Sequence, residues 1–160
     1  MRLPFRRKHP AMAGVCVRAG TCIVDSSSMA KAGYWLFNGW FQLLDESADD
    51  GVLGRTVLEA LSQSPLHHGI ANPRLRSVPN APILKALGVR SQLAFMKGSR
   101  HVGIRRADGH VTFHPYENRG RGGFVEVRGA EFAVEAGMEA DPAAVGAAVR
   151  RALAVATSGE

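Results

Sequence analysis

The chain has 160 residues, a length at which one domain around one hydrophobic core is the expectation, and its 46% hydrophobic content supplies the material for that core. Cys16 and Cys22 are too few for a disulfide framework and lack the second pair a structural zinc site needs, so a reducing, cytoplasmic setting is expected, with no cofactor and no metal. The net charge of +6 is unevenly spread: no acidic residue stands between Glu59 and Asp108, while eight lysines and arginines fall from Arg74 to Arg106, which favours an acidic partner, either nucleic acid or an acidic protein surface, or else a basic solvated face.

At the start of the chain Arg2, Arg6, Arg7 and Lys8 precede a moderately apolar stretch, Ala11 to Val24. Arg18 interrupts that stretch, Gly14 and Gly20 weaken it, and no small-residue cleavage site follows, so a secretory signal is not indicated. Residues 1–30 are therefore expected to form a flexible basic tail, with Met29 as an alternative start, and residues 31–160 a single α+β domain. No apolar run approaches the roughly 18 residues that a membrane span requires.

Gly33 to Phe41 reads GYWLFNGWF, with five aromatics flanking or adjoining Asn38-Gly39. Its arms are short for a hairpin, so a single strand bent by a glycine bulge is expected. Asp49 and Asp50 offer N-cap chemistry to a helix that places Leu53, Val57, Ala60, Leu61 and Ser64 on one face and ends before Pro65. Pro65 to Pro82 reads as a long loop, Ala81 to Leu87 as a short helix closed by Gly88, and Ser91 to Met96 as a strand.

His101 to Pro115 reads as a hairpin about Asp108-Gly109. A two-residue turn pairs Ile104 with Phe113 and Arg105 with Thr112. Val102, Ile104, Val111 and Phe113 then share one face, and His101, Arg105, His110, Thr112 and His114 the other. A glycine and arginine loop follows at Asn118 to Gly123, then strands at Phe124 to Arg128 and Glu131 to Val134. Asp141 and Pro142 open a last helix whose Gly146, Val149 and Ala152-Leu153 repeat Gly54, Val57 and Ala60-Leu61 at an offset of 92 residues; two capped amphipathic helices or a duplication would each produce that match. The fold class that follows is α+β, an antiparallel sheet packed against two amphipathic helices.

Little in this chain carries catalytic chemistry. There is no P-loop, no GxGxxG after a strand, no GxSxG elbow and no HExxH. His101 and His114, with Arg105 and Lys97 nearby, could in principle divide acid, base and phosphate-clamp roles in metal-independent RNA cleavage, although histidines on a hairpin surface are more often plain polar residues. Arg119-Gly120-Arg121-Gly122-Gly123-Phe124 could contact phosphates and stack a base, or be a turn with exposed arginines.

Three stretches, GYWLFNGWF, then LGRTVLEALSQS, then LAFMKGSRHVGIRRADGHVTFHP running into GGF, together resemble the immunity proteins of bacterial contact-dependent growth inhibition systems. The resemblance covers residues 33 to 127 and rests on structural motifs, among them an LGxxVLxALxxS helix matched by Leu53, Gly54, Val57, Leu58, Ala60, Leu61 and Ser64. It implies a cytosolic protein, not an enzyme, whose partner is the C-terminal toxin domain, often a nuclease, of a cognate secreted toxin, and which neutralises that domain by stoichiometric occlusion. It brings no defined contact residues. The charged candidates are the acidic loop, Asp45, Glu46, Asp49 and Asp50, with the glutamates after Glu126, if the toxin presents a basic site, and His101, Arg105, His114, Arg119 and Arg121, if it presents an acidic one. A small basic module that binds or cleaves RNA is the alternative, and it predicts a steep salt dependence.

Overall fold

The computed structural model describes residues 10–30, 33–64, 80–134 and 141–159. Among these residues seven strands form one antiparallel sheet: β1 (Ala11–Arg18), β2 (Thr21–Met29), β3 (Trp35–Asp45), β4 (Arg100–Ala107), β5 (His110–Asn118), β6 (Phe124–Glu126) and β7 (Phe132–Val134). Their order is β3-β2-β1-β4-β5-β6, and β7 also pairs with β5. Two long helices, α1 (Asp50–Gln63) and α4 (Pro142–Val155), pack on one face, while the shorter α2 (Ala81–Leu87) and α3 (Gln92–Met96) serve the other. The α+β class and the antiparallel sheet on two amphipathic helices are as expected.

The first thirty residues require a correction. Ala11–Arg18 and Thr21–Met29 are not a tail: β1 lies between β2 and β4 in the middle of the sheet, and Ala11, Val15 and Val24 are fully buried. The two strands are joined by Ala19-Gly20, both at positive φ, the geometry of a tight hairpin turn. Gly20 belongs to that turn, and Gly14, inside β1, marks a close approach: a side chain there would meet Asp25 and His101. The expected basic residues before Pro10 lie outside the described residues, as do Pro65 to Pro79 of the long loop.

Ser91 to Met96 is also corrected, from strand to helix. Ser91 accepts a hydrogen bond from the Ala94 backbone N–H at 3.1 Å and caps a short helix that buries Phe95 and Met96 side by side, which a strand could not do on one face. The hairpin reading holds in register: Ile104 opposes Phe113 and Arg105 opposes Thr112, with Asp108 and Gly109 at positive φ in the turn.

The helix-covered face is built from the alternate residues Ala13, Val15, Val24, Val102, Ile104 and Phe113, which meet Leu53, Val57, Leu61, Val145, Val149 and Leu153 from the two helices. Complete burial of each large aliphatic side chain contributes about 1.5–3 kcal/mol. Asp49 caps α1 through a 2.8 Å bond from Val52 N–H, and Asp141 caps α4 through one of 3.1 Å from Ala143 N–H.

The bulge in β3 has an identifiable cause. The pairing of β2 with β3 slips between Asp25 and Ser27, and Asn38, at the slip, turns its amide inward to donate to Ser26 Oγ (3.0 Å) and Ser28 Oγ (3.1 Å). Ser26 then donates to Ala60 O at 2.7 Å, and Ser28 to Ser64 O. The Asn38 side-chain Oδ1 accepts from Trp40 N–H at 3.0 Å, and Gly39 takes φ +96°, a conformation that favours glycine. This buried polar seam fastens β2 and β3 to the C-terminal end of α1.

Candidate functional site

Among the described residues the sheet face opposite α1 and α4 is only partly covered, and it holds a cavity of about 650 Å³. Strand pairing explains why. Gly14 of β1 faces Asp25 of β2 on one side and Gly103 of β4 on the other, so the centre of this face has two adjacent positions without side chains. Neighbouring side chains lie over the gap: a Cβ on Gly14 would meet Asp25 Oδ1 at 2.9 Å and His101 Cε1 at 3.1 Å, and one on Gly103 would meet the Tyr116 ring at 3.0 Å. Asp25 and His101, 76 positions apart in sequence, thus rest against the same glycine.

Around this polar floor the lining is apolar. Cys16 and Ile23 come from the sheet, Ile83 and Leu84 from α2, and Phe95 from α3. Phe37 and Phe124 stand at opposite sides, and the His101 ring packs against Phe124 (4.9 Å between centroids) and Tyr116 (5.0 Å). Exposed Arg90, Ser91 and Gln92 form part of the rim.

Burial sets the electrostatics of this recess. It pushes the Asp25 carboxyl up to about 6 and the His101 imidazole down to about 4, the latter against an opposing hydrogen bond with the Val15 backbone. Burial likewise pushes the Cys16 thiol up to about 12. At neutral pH the recess therefore holds an ionised carboxylate, a neutral imidazole and an intact thiol, so Cys16 and His101, though cross-strand partners, are not a thiolate–imidazolium pair. Among the described residues no three of His, Cys, Asp and Glu gather as a metal-holding group.

The residues singled out in the sequence are dispersed. His101, Arg105 and His114 do share this sheet face, as parity required, but their roles differ. His101 is half-buried in the recess, Arg105 is exposed, and His114 is held by Glu126 (Nδ1 to Oε1, 2.5 Å) and Thr112 (Nε2 to Oγ1, 2.9 Å). The two imidazoles are thus bound to different neighbours, an arrangement unlike the shared acid–base pair that RNA cleavage would use. Arg119 pairs with Glu117 at 3.0 Å, and Arg121 is exposed in a 3-10 turn at Gly120–Gly122.

The acidic loop is engaged within the protein. Asp45 accepts from Ser47 N–H (2.8 Å) and Oγ (2.5 Å), bonds that hold its carboxyl below the usual range. Glu46 pairs with Arg100 at 3.3 Å, Asp49 caps α1, and Asp50 pairs with Arg150 Nε at 2.7 Å. Arg150 also donates to the Glu46 and Ala48 carbonyls, so this charged loop is a joint between the end of β3, α1 and α4.

Asp25 and the Gly14–Gly103 pair were not found from the sequence, because β1 and β2 were not recognised as strands. The signal available was the apolar, valine-rich run Val15-Cys16-Val17, a turn at Ala19-Gly20, and Cys22-Ile23-Val24.

A family model described as CdiI, CDI immunity protein, matches residues 15–156. Among solved structures, a protein of unknown function from Neisseria meningitidis is similar with a TM-score of 0.77 at 18% identity, covering 97% of this chain and 100% of that one. A chain from a CdiA-CT/CdiI toxin and immunity complex of Yersinia pseudotuberculosis is similar with a TM-score of 0.74 at 16% identity, covering 92% of this chain and 98% of that one. No curated protein matches the sequence. The family match begins within β1, so it extends well to the N-terminal side of the segment, from residue 33, that carried the resemblance in the sequence.

Proposed function

The chain belongs to the CdiI family of CDI immunity proteins, and we propose that it neutralises the toxin domain of its cognate CdiA protein by forming a tight 1:1 complex in the cytoplasm, without turnover. The observation that carries this reading is the family match across residues 15–156, which spans nearly all the sheet and both long helices. A protein partner is further supported by the similar Yersinia pseudotuberculosis chain, which comes from a toxin and immunity complex.

The sheet face opposite α1 and α4 is the contact surface in this reading. It offers concave apolar surface flanked by charge, the composition of an interface core and its rim. His101 lies within it, Arg105 and Arg121 are exposed contacts, and His114 and Arg119 are contacts already oriented by Glu126 and Glu117. Asp45, Glu46, Asp49 and Asp50 contribute by keeping the loop rigid. A nuclease is the toxin activity that best suits the recess, because a surface that grips phosphates is basic and the recess holds a carboxylate.

Co-expression with the toxin domain encoded immediately upstream tests the reading. The expected result is growth rescue and a co-purifying 1:1 complex that survives high salt, since a desolvated apolar contact is little screened. Absence of rescue, with salt-sensitive RNA retained on the purified protein, would overturn it.

A further inference from the structure

Deepening the immunity reading, and resting on it, we propose that the recess over Gly14 receives one basic side chain of the toxin domain, an arginine by preference, whose charged head pairs with the Asp25 carboxylate.

Two unsatisfied acceptors point to a donor. Among the described residues no hydrogen bond or ion pair reaches the Asp25 carboxylate, which lies against Gly14 on the cavity floor. Asn80, at the N-terminal end of α2, also lines the cavity, and among the described residues its buried Oδ1 has no partner. Asn80 Oδ1 is a buried acceptor left unpaired and Asp25 a partly buried carboxylate without a counter-charge among the described residues; both are costly, and a ligand that supplies donors recovers that cost on binding. His101, which rests against Gly14 beside Asp25, is a neutral imidazole, so among the described residues no cation of the cavity floor competes for Asp25. Arg90 belongs to the exposed rim.

The shape selects a long side chain with an apolar stem. Cys16, Ile23, Leu84 and Phe95 line the cavity with aliphatic, thiol and aromatic surface, which suits the stem of an arginine or lysine. Arginine is favoured because its guanidinium is planar, less strongly hydrated than an ammonium, and carries several donors, enough for both Asp25 and Asn80. A cation withdrawn from a phosphate-binding surface is also one whose loss disables a nuclease, which joins binding to inhibition.

Calorimetric titration of the full-length protein with its cognate toxin domain tests this, using wild type, Asp25→Asn and Gln92→Trp, with folding of each verified by thermal melting. Gln92 is exposed at the rim, so the indole obstructs the mouth without touching the core. The expected result is a loss of affinity of about 30-fold or more in each variant, and one arginine or lysine of the toxin whose replacement by methionine costs little more once Asp25 is already Asn. Folded variants that both bind within about threefold of wild type would overturn the pocket. Loss with Gln92→Trp alone would identify an apolar anchor and overturn the cation. A free-protein dimer that Gln92→Trp dissociates would assign the recess to a second copy and overturn the toxin side chain as its occupant. Failure of wild type to bind the toxin would sink the immunity reading itself, a distinct result.

Discussion

Gly54 of α1 and Gly146 of α4 are each packed against the other helix's backbone, and the two contacts mirror one another: a Cβ on Gly54 would fall 1.6 Å from Pro142 O, and one on Gly146 would fall 1.9 Å from Asp50 O. Since Gly54 and Gly146, like Asp50 and Pro142, are 92 positions apart, the repeat seen in the sequence is a local two-fold relation between the helices. The crossing demands glycine at both points, which accounts for the repeated glycine without any requirement for duplication.

Gly54→Ala and Gly146→Ala should therefore each destabilise the protein by about 3 kcal/mol or more, because the obstructing atoms are backbone and the helices must separate. Once separated, they accommodate the second methyl more easily, so the double variant should lose less than the sum. Urea denaturation of the three variants measures both quantities.

A chain starting at Met29 should not fold. It would lack β1 and β2, leaving β3 without the β2 partner it has in the sheet order and exposing Ile104 and Val102 of β4. The expected outcome is an absence of any cooperative thermal transition; a normal melt would contradict the central placement of β1.

Asn38→Ala should cost about 2 kcal/mol, since Ser26 and Ser28 lose donors and the bulge loses its anchor while Gly39 keeps φ +96°. Asn38→Asp should be worse, because it buries a charge among acceptors and supplies no amide hydrogen. Chemical denaturation at pH 7 ranks the two.

The paired shifts of Asp25 and His101 predict a compensated pH profile. The raised Asp25 value, about 6, means its contribution is fully present below the unfolded value near 4 and is lost as pH rises through 6. The lowered His101 value, about 4, means the reverse: its contribution is present above the unfolded value near 6.5 and is lost as pH falls through 4. The two slopes oppose each other across the same window. Relative to wild type, Asp25→Asn should gain stability with rising pH between about 4 and 6, by about 2 kcal/mol, and His101→Gln should lose a similar amount. Thermal melts at half-unit pH steps read the differences, and parallel profiles for all three proteins would refute the burial of these groups.

What the sequence determined alone was what local rules encode. The cap at Asp49, the cap and proline at Asp141-Pro142 and the apolar spacing of each helix need only a few neighbouring residues, and the structure has both helices where that chemistry put them. The Asp108-Gly109 turn fixed the β4–β5 register because side-chain alternation leaves one parity that buries Ile104 and Phe113 together. The bulge at Asn38-Gly39 was legible from a glycine in a short aromatic strand, although its serine partners were not. Tertiary structure decided the rest. Ser91-Gln92-Leu93-Ala94-Phe95-Met96 is too short for periodicity to separate helix from strand, and burial of Phe95 in the cluster with Ile83, Leu84, Cys16 and Ile23 accompanies the helix. Ala11 to Met29 became the centre of the sheet only because β3 and β4, distant in sequence, pair with its two strands. The recess followed from that pairing, since Gly14, Asp25, His101 and Gly103 meet through hydrogen-bonded registers between separate strands, and no local pattern of residues specifies which strands will be neighbours.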